Sequence, residues 1–163
     1  MSVRIRSAVR ADTATILALI RDLADYEKLL HEVVATQDDL DAALFCASPK
    51  VFCLIAENGN GDALGFALYF FSFSTFLGRH GVYLEDLFVQ PDARGQGIGK
   101  ALLSRLAQIA LDNQCGRLEW SVLDWNTPAI EFYRSLGAVP MEEWTVNRVT
   151  GDALATLANG ADT

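Results

Sequence analysis

Arg94, Gly97 and Gly99 stand in the spacing R-x-x-G-x-G, inside the stretch "YLEDLFVQPDARGQGIGKALL" that runs from Tyr83 to Leu103. Gly95 makes a third glycine, so glycine occupies every second position from 95 to 99. An apolar, strand-like run precedes the glycines and an apolar, helix-like run follows them. Strand, glycine-rich turn and helix together make a layout that binds phosphate. The first amide N–H groups of a helix have no partner within it, and the helix dipole adds positive potential there. Glycine lets an anion approach the backbone with no Cβ in the way. Two better-known phosphate motifs fit badly. A dinucleotide fingerprint would need a third glycine where Lys100 stands, and a Walker loop would need Gly and Ser or Thr where Arg94 and Ala101 stand. The glycines by themselves also fit a flexible turn at a helix start.

Glu85 lies in a strand-like run among Val82, Leu84 and Leu87, where an unpaired charge is costly. That makes it a candidate functional acid; a solvated edge position is the plainer alternative. Asp86 faces the other way in a regular pleat, unless a bulge redirects it. No G-x-S-x-G elbow is present to carry an acyl intermediate. His31 and His80 have no third ligand at useful spacing, so no metal is expected.

The elements that must position these residues alternate along the chain. Val3–Ser7 reads as a short strand, and Asp12 as the N-cap of a helix whose Ile16, Leu19, Ile20 and Leu23 share one face. Thr36 is placed to cap a second helix with Leu40, Ala43 and Leu44. Val51–Glu57 and Ala63–Phe73 read as strands joined by "NGNGD", a hairpin signal because Asn and Gly accept positive φ. Val82–Val89 is a fourth strand, Ile98–Leu111 a helix and Leu118–Val122 a further strand. Asn126 and Thr127 open a helix with Pro128 in its first turn and Gly137 just past its end. Trp144–Val149 reads as a last strand. The result is one mixed α/β domain over residues 1–163.

Bulk properties narrow the partners. At 163 residues and 51% apolar, the chain is long enough for a real core. A net charge of −8 argues against nucleic acid or an anionic membrane as a main partner. Three cysteines with no CxxC pair fit a reduced, cytoplasmic setting. The most apolar run, Leu64–Leu77, is too short to span a bilayer.

R-x-x-G-x-G between a strand and an amphipathic helix resembles the acetyl-CoA-binding motif of the GNAT N-acetyltransferases. The likeness extends along nearly the whole chain. "YLEDLFV" resembles the strand before the pyrophosphate loop in the diamine and thialysine branch of that family, and "VLDWNTPAIEFYRSLGA" resembles its later strand-to-helix segment. "LADYEKL" and "EEW", ending at Trp144, are similar to that branch as well. "EKL", Ser74 with Thr75, "RGQGIG" and "VLDWN" lean towards the thialysine type. The polyamine type tends to have Asp-Pro where Ser74 and Thr75 stand.

The resemblance implies a GNAT fold, with a mixed, mostly antiparallel sheet of six to seven strands and helices on both faces. It implies acetyl-CoA as acetyl donor without a metal, and a homodimer. Residue by residue, it implies that Leu87, Phe88 and Val89 pair with the pantetheine arm. Arg94, Gly95, Gln96, Gly97, Ile98, Gly99 and Lys100 would hold the pyrophosphate, and Asn126, Thr127, Pro128 and Ala129 the far side of the cofactor. Tyr133, in "EFYRSLGA", would face the thioester sulfur as the acid, with Glu85 as base through water. Tyr26, Glu27, Glu85, Asp86 and Trp144 would line the amine. This chemistry has a physical basis. A lysine-like ammonium of pKa ~10.4 is nucleophilic in roughly one molecule in a thousand at neutral pH, and a departing thiolate benefits from a proton donor. The expected activity is direct transfer from acetyl-CoA to a small primary amine, thialysine-like or another short amino-acid amine. The alternatives are a polyamine, a protein N-terminus, or an acyl-CoA-binding module without turnover.

Overall fold

A computed structural model describes residues 2–160. They form two compact units, one ending at Leu123 and the other beginning at Asp124.

The first unit is built on a five-stranded sheet. Strands β1 (Arg4–Ser7), β2 (Val51–Glu57), β3 (Ala63–Ser74), β4 (Arg79–Val89) and β5 (Leu118–Trp120) lie in chain order. The first three pairings are antiparallel and the last is parallel. Short turns join β2 to β3 and β3 to β4, and residues 8–50 lead from β1 to β2, whereas the parallel β4–β5 pair needs a crossover, which helix α3 (Ile98–Asp112) supplies. The hairpin at residues 58–62 forms as its sequence predicts. Asn58 Oδ1 accepts from the backbone N–H of Asn60 and Asp62, each at 2.9 Å, and Gly61 takes φ 86°.

Cys53, Ile55, Phe66, Leu68 and Phe88 share one sheet face through the β2–β3–β4 register. They pack on Ile16 and Leu19 of α1 (Thr13–Tyr26) and Leu44 of α2 (Gln37–Leu44) to make a buried core. The other face carries Leu54, Ala67, Val82 and Leu84, all buried, and α3 covers it with Ile98, Leu102 and Leu106. Helices therefore lie on both faces, as expected. Thr36 caps α2, its Oγ1 accepting from Asp39 N at 3.2 Å. Asp12 precedes α1 but does not cap it. Its carboxylate accepts Val9 N–H at 2.8 Å and forms a bidentate pair with Arg6 at 2.7 and 3.0 Å, bracing β1 against the helix start.

The second unit holds α4 (Thr127–Ser135) and α5 (Gly151–Asn159). Asn126 Oδ1 caps α4 by accepting from Ala129 N at 3.4 Å, and Gly137, at φ 93°, closes it in the left-handed conformation. The strand expected over Trp144–Val149 does not form. Its alternating pattern suits a strand, but a strand exists only as one side of a ladder, and the sheet of described residues has five strands rather than six or seven. Helix α5 was not anticipated from the sequence. Among the described residues no helix is long and apolar enough to cross a membrane.

Candidate active site

The glycine turn takes the shape that an anion needs. β4 ends at Val89, a single 3-10 turn covers Pro91–Ala93, and α3 begins at Ile98. Gly95 and Gly97 adopt φ 78° and 79°, in the left-handed region that disfavours side chains. A Cβ added at either would meet nothing within 4 Å, so the space above the turn is open. Gly97 is the N-cap of α3, and no side chain caps that helix; its first turn carries no acid and includes Lys100. The amides of the first turn are therefore not claimed by a protein carboxylate or hydroxyl. A diphosphate has room to approach these amides.

β4 also leaves backbone available. It pairs with β5 only at Val82, Tyr83 and Leu84, and Glu85 to Val89 continue with no β5 partner. On the other side Leu87, Phe88 and Val89 pair with Ala67, Phe66 and Gly65. One edge of these three residues is thus held by the sheet, while among the described residues no strand pairs with the opposite edge.

A bulge interrupts β4 where the acids lie. Leu68 pairs with Asp86 and Tyr69 with Leu84, leaving Glu85 unmatched. Asp86 faces the α1 side of the sheet, in register with Leu68 and Cys53. Glu85 is exposed and Asp86 half-buried. Burial raises the Asp86 carboxyl to about 6, and the charges of Glu85 and Glu27 add to the rise. Glu27 caps the C-terminus of α1, and burial raises its carboxyl too. The charges of Glu85 and Glu27, from two elements, therefore both bear on Asp86, in the strand that leads to the glycine turn. An ammonium ion would relieve that repulsion. The sequence favoured Glu85 over Asp86; the structure adds Asp86 as the acid whose titration burial and neighbours have moved.

Tyr26, the last residue of α1, has the Arg94 guanidinium over its ring at 4.9 Å from the centroid. Within the second unit, Tyr133 is half-buried in α4, its ring 5.5 Å from that of Phe132. Asn126 is buried at the head of the same helix, with Thr127, Pro128 and Ala129 in its first turn. Trp144 lies outside regular structure and is 76% exposed. Two other chemistries find no support. Burial, ahead of the charges of Asp12 and Asp86, pushes the Cys53 thiol up to about 12, far from a working nucleophile. Among the described residues no group of His, Cys, Asp or Glu could hold a metal ion.

Residues 18–138 match the model of the "Acetyltransferase (GNAT) family". The chain belongs to that family. It is an acetyl-CoA-dependent N-acetyltransferase on the GNAT fold, with acetyl-CoA as co-substrate. It is similar over 96% of its length, and 97% of the relative's, to a Bos taurus protein named "Thialysine N-epsilon-acetyltransferase", with 42% identity. It is 35% identical, over 95% of its own length and 24% of the relative's, to the Homo sapiens "Spermidine/spermine N(1)-acetyltransferase-like protein 1". An integron cassette protein from the mobile metagenome of V. cholerae has a solved structure that superposes with a TM-score of 0.80. That match covers 97% of this GNAT chain and 98% of the other at 32% identity.

Proposed function

We propose that this GNAT enzyme acetylates the side-chain amine of a short amino acid of the thialysine type. The observation that carries the reading is the group of acids at the β4 bulge, Glu85 and Asp86 with Glu27 of α1, on the strand that runs into the glycine turn. These acids hold the ammonium end. Glu85 takes the amine proton through water, and the Tyr133 hydroxyl returns a proton to the departing sulfur. A second reading makes Asp86 the base, favoured by its carboxyl at about 6, nearer working pH than an ordinary carboxylate. Tyr26 and Trp144 complete the amine side. On the donor side Leu87, Phe88 and Val89 pair with pantetheine, and Arg94 with Gly95–Lys100 surrounds the pyrophosphate. Asn126–Ala129 lines the rest.

Ser74 supports a short amine over a polyamine. Its hydroxyl accepts from Arg117 Nη2 at 3.1 Å and from Leu77 N at 3.2 Å, so a cation rather than an acid stands at the position where the polyamine type tends to carry Asp. The relative bearing the thialysine name is also the more similar of the two, at 42% against 35% identity. We further take residues 1–163 as one GNAT domain, since the family match over 18–138 crosses the boundary at Leu123. A cytoplasmic homodimer fits the free thiols Cys46, Cys53 and Cys115 and the apolar side chains Val139, Met141, Trp144 and Val146, which are 62–84% exposed. The test is CoA-thiol release over a panel of thialysine, ornithine, lysine, spermidine and spermine. A tenfold or greater preference for spermidine over every short amine overturns the substrate assignment.

A further inference from the structure

Two contacts tie the last turn of α1 to the loop between β4 and the glycine turn. Gln90 Nε2 donates to Asp22 Oδ2 at 2.9 Å, and the Arg94 guanidinium lies over the Tyr26 ring at 4.9 Å. Asp22 and Tyr26 are four residues apart and so share one face of the helix. The same guanidinium lies over Phe88 at 5.4 Å, while Arg94 Nε donates to the Val89 carbonyl at 3.0 Å. Phe88 belongs to the buried core. Arg94 is thus fixed by a backbone carbonyl and covers two rings, one anchored in the core and one at the helix end. A planar guanidinium serves this use better than an ammonium, which can lie over a ring but cannot also stack on it.

What the helix end carries is Glu27. Its N–H bonds to Leu23 O at 2.9 Å, followed by Lys28 N to Asp25 O at 3.0 Å and Leu29 N to Ala24 O at 2.7 Å. Lys28 holds φ 61°, a conformation that a non-glycine residue keeps only where its surroundings impose it. The direction of the Glu27 carboxylate therefore depends on how firmly this turn is held.

We propose that Arg94, on the cofactor side, is a positioning residue for the amine side: through Tyr26 it clamps the last turn of α1 and places the Glu27 carboxylate relative to Asp86. The inference rests on the assignment of Glu27 and Asp86 to the acceptor amine. It makes amine affinity depend on the loop that leads into the anion site. Such a coupling between two ligands is reciprocal in binding free energy.

The experiment uses the full chain with Arg94→Gln, Arg94→Lys, Tyr26→Leu and the Gln/Leu double variant. Amide hydrogen exchange at Glu27, Lys28 and Leu29 reads the clamp without any substrate, with α3 amides as internal reference. Loss of one guanidinium over two rings predicts about tenfold faster exchange in Arg94→Gln, with partial recovery in Arg94→Lys. With thialysine at saturating acetyl-CoA, Arg94→Gln raises the amine KM about tenfold, a larger change than any fall in kcat. The Arg94→Gln and Tyr26→Leu effects on KM do not add, because both break one clamp. Unchanged exchange at the helix end overturns the proposal. So does an unchanged amine KM with only acetyl-CoA affinity weakened, or an additive double variant. If the wild-type enzyme turns over no amine in the panel, the substrate assignment fails, and hydrogen exchange alone decides the clamp.

Discussion

Gly97→Asn separates the anion site from ordinary backbone strain. Valine at this position would be a poor probe, because φ 79° strains any β-branched residue whether or not a ligand is present. Asparagine tolerates the left-handed region, so its cost to folding is about 1 kcal/mol or less, or about 2–4 °C in Tm for a chain of this length. The new Cβ meets no protein atom, since an ideal Cβ at Gly97 has nothing within 4 Å. Any loss of binding then comes from the ligand's approach. Displacing the phosphate from one amide forfeits a charge-assisted hydrogen bond of about 1.5–3 kcal/mol, which is about a tenfold to 150-fold loss of affinity. Gly61→Asn is a matched control. Gly61 sits in the β2–β3 hairpin at φ 86°, and a Cβ there also has nothing within 4 Å. Calorimetric titration with acetyl-CoA, alongside thermal melts, should show both variants equally stable and only Gly97→Asn weakened. Equal affinity in the two folded variants would refute the glycine turn as the pyrophosphate site.

Three further outcomes follow from the same geometry. Asp86→Asn should stabilise the free protein at pH 7.5 by up to about 3 kcal/mol, judged by thermal melts, while lowering turnover. The sign follows from its carboxyl being raised from 3.8 to about 6: folding favours the protonated form, full stability holds below 3.8, and it is lost as pH rises through about 6. The gain from Asn should therefore shrink at pH 4.5 and vanish below 3.8; a gain independent of pH would exclude this cause. Tyr133→Phe should lower kcat by about 10²–10⁴-fold with acetyl-CoA affinity unchanged, and retention of most turnover would make Tyr133 a packing residue. Ser74→Asp alone should leave the spermidine-to-thialysine ratio of kcat/KM within about threefold, since Arg117 would neutralise the new carboxylate; adding Arg117→Gln should raise it about tenfold. A tenfold rise from Ser74→Asp alone would show that Arg117 does not compete.

Much of the frame was legible because it depends on neighbours in the chain. The "NGNGD" hairpin, the Thr36 and Asn126 caps, Gly137 past α4 and the strand–turn–helix around Gly95–Gly99 each rest on φ preferences and hydrogen bonds within a few residues. Those local signals also gave the anion-site reading of the glycine turn, whereas the family and the donor came from the resemblance of R-x-x-G-x-G and the other stretches to the GNAT enzymes. Long-range pairing was not legible. Whether Glu85 alternates with Asp86 or bulges beside it depends on β3, where Leu68 pairs with Asp86 and Tyr69 with Leu84. Trp144–Val149 alternates like a strand yet joins no ladder. The meeting of Arg94 with Tyr26, 68 residues apart, and of Ser74 with Arg117, 43 apart, leaves no pattern in either neighbourhood. Local sequence thus determined most of the secondary elements and the glycine turn, because their partners lie within one or two turns of backbone. Only the tertiary structure decided which acids bear on Asp86 and where Arg94 and Arg117 settle, because those contacts are fixed by packing between distant segments.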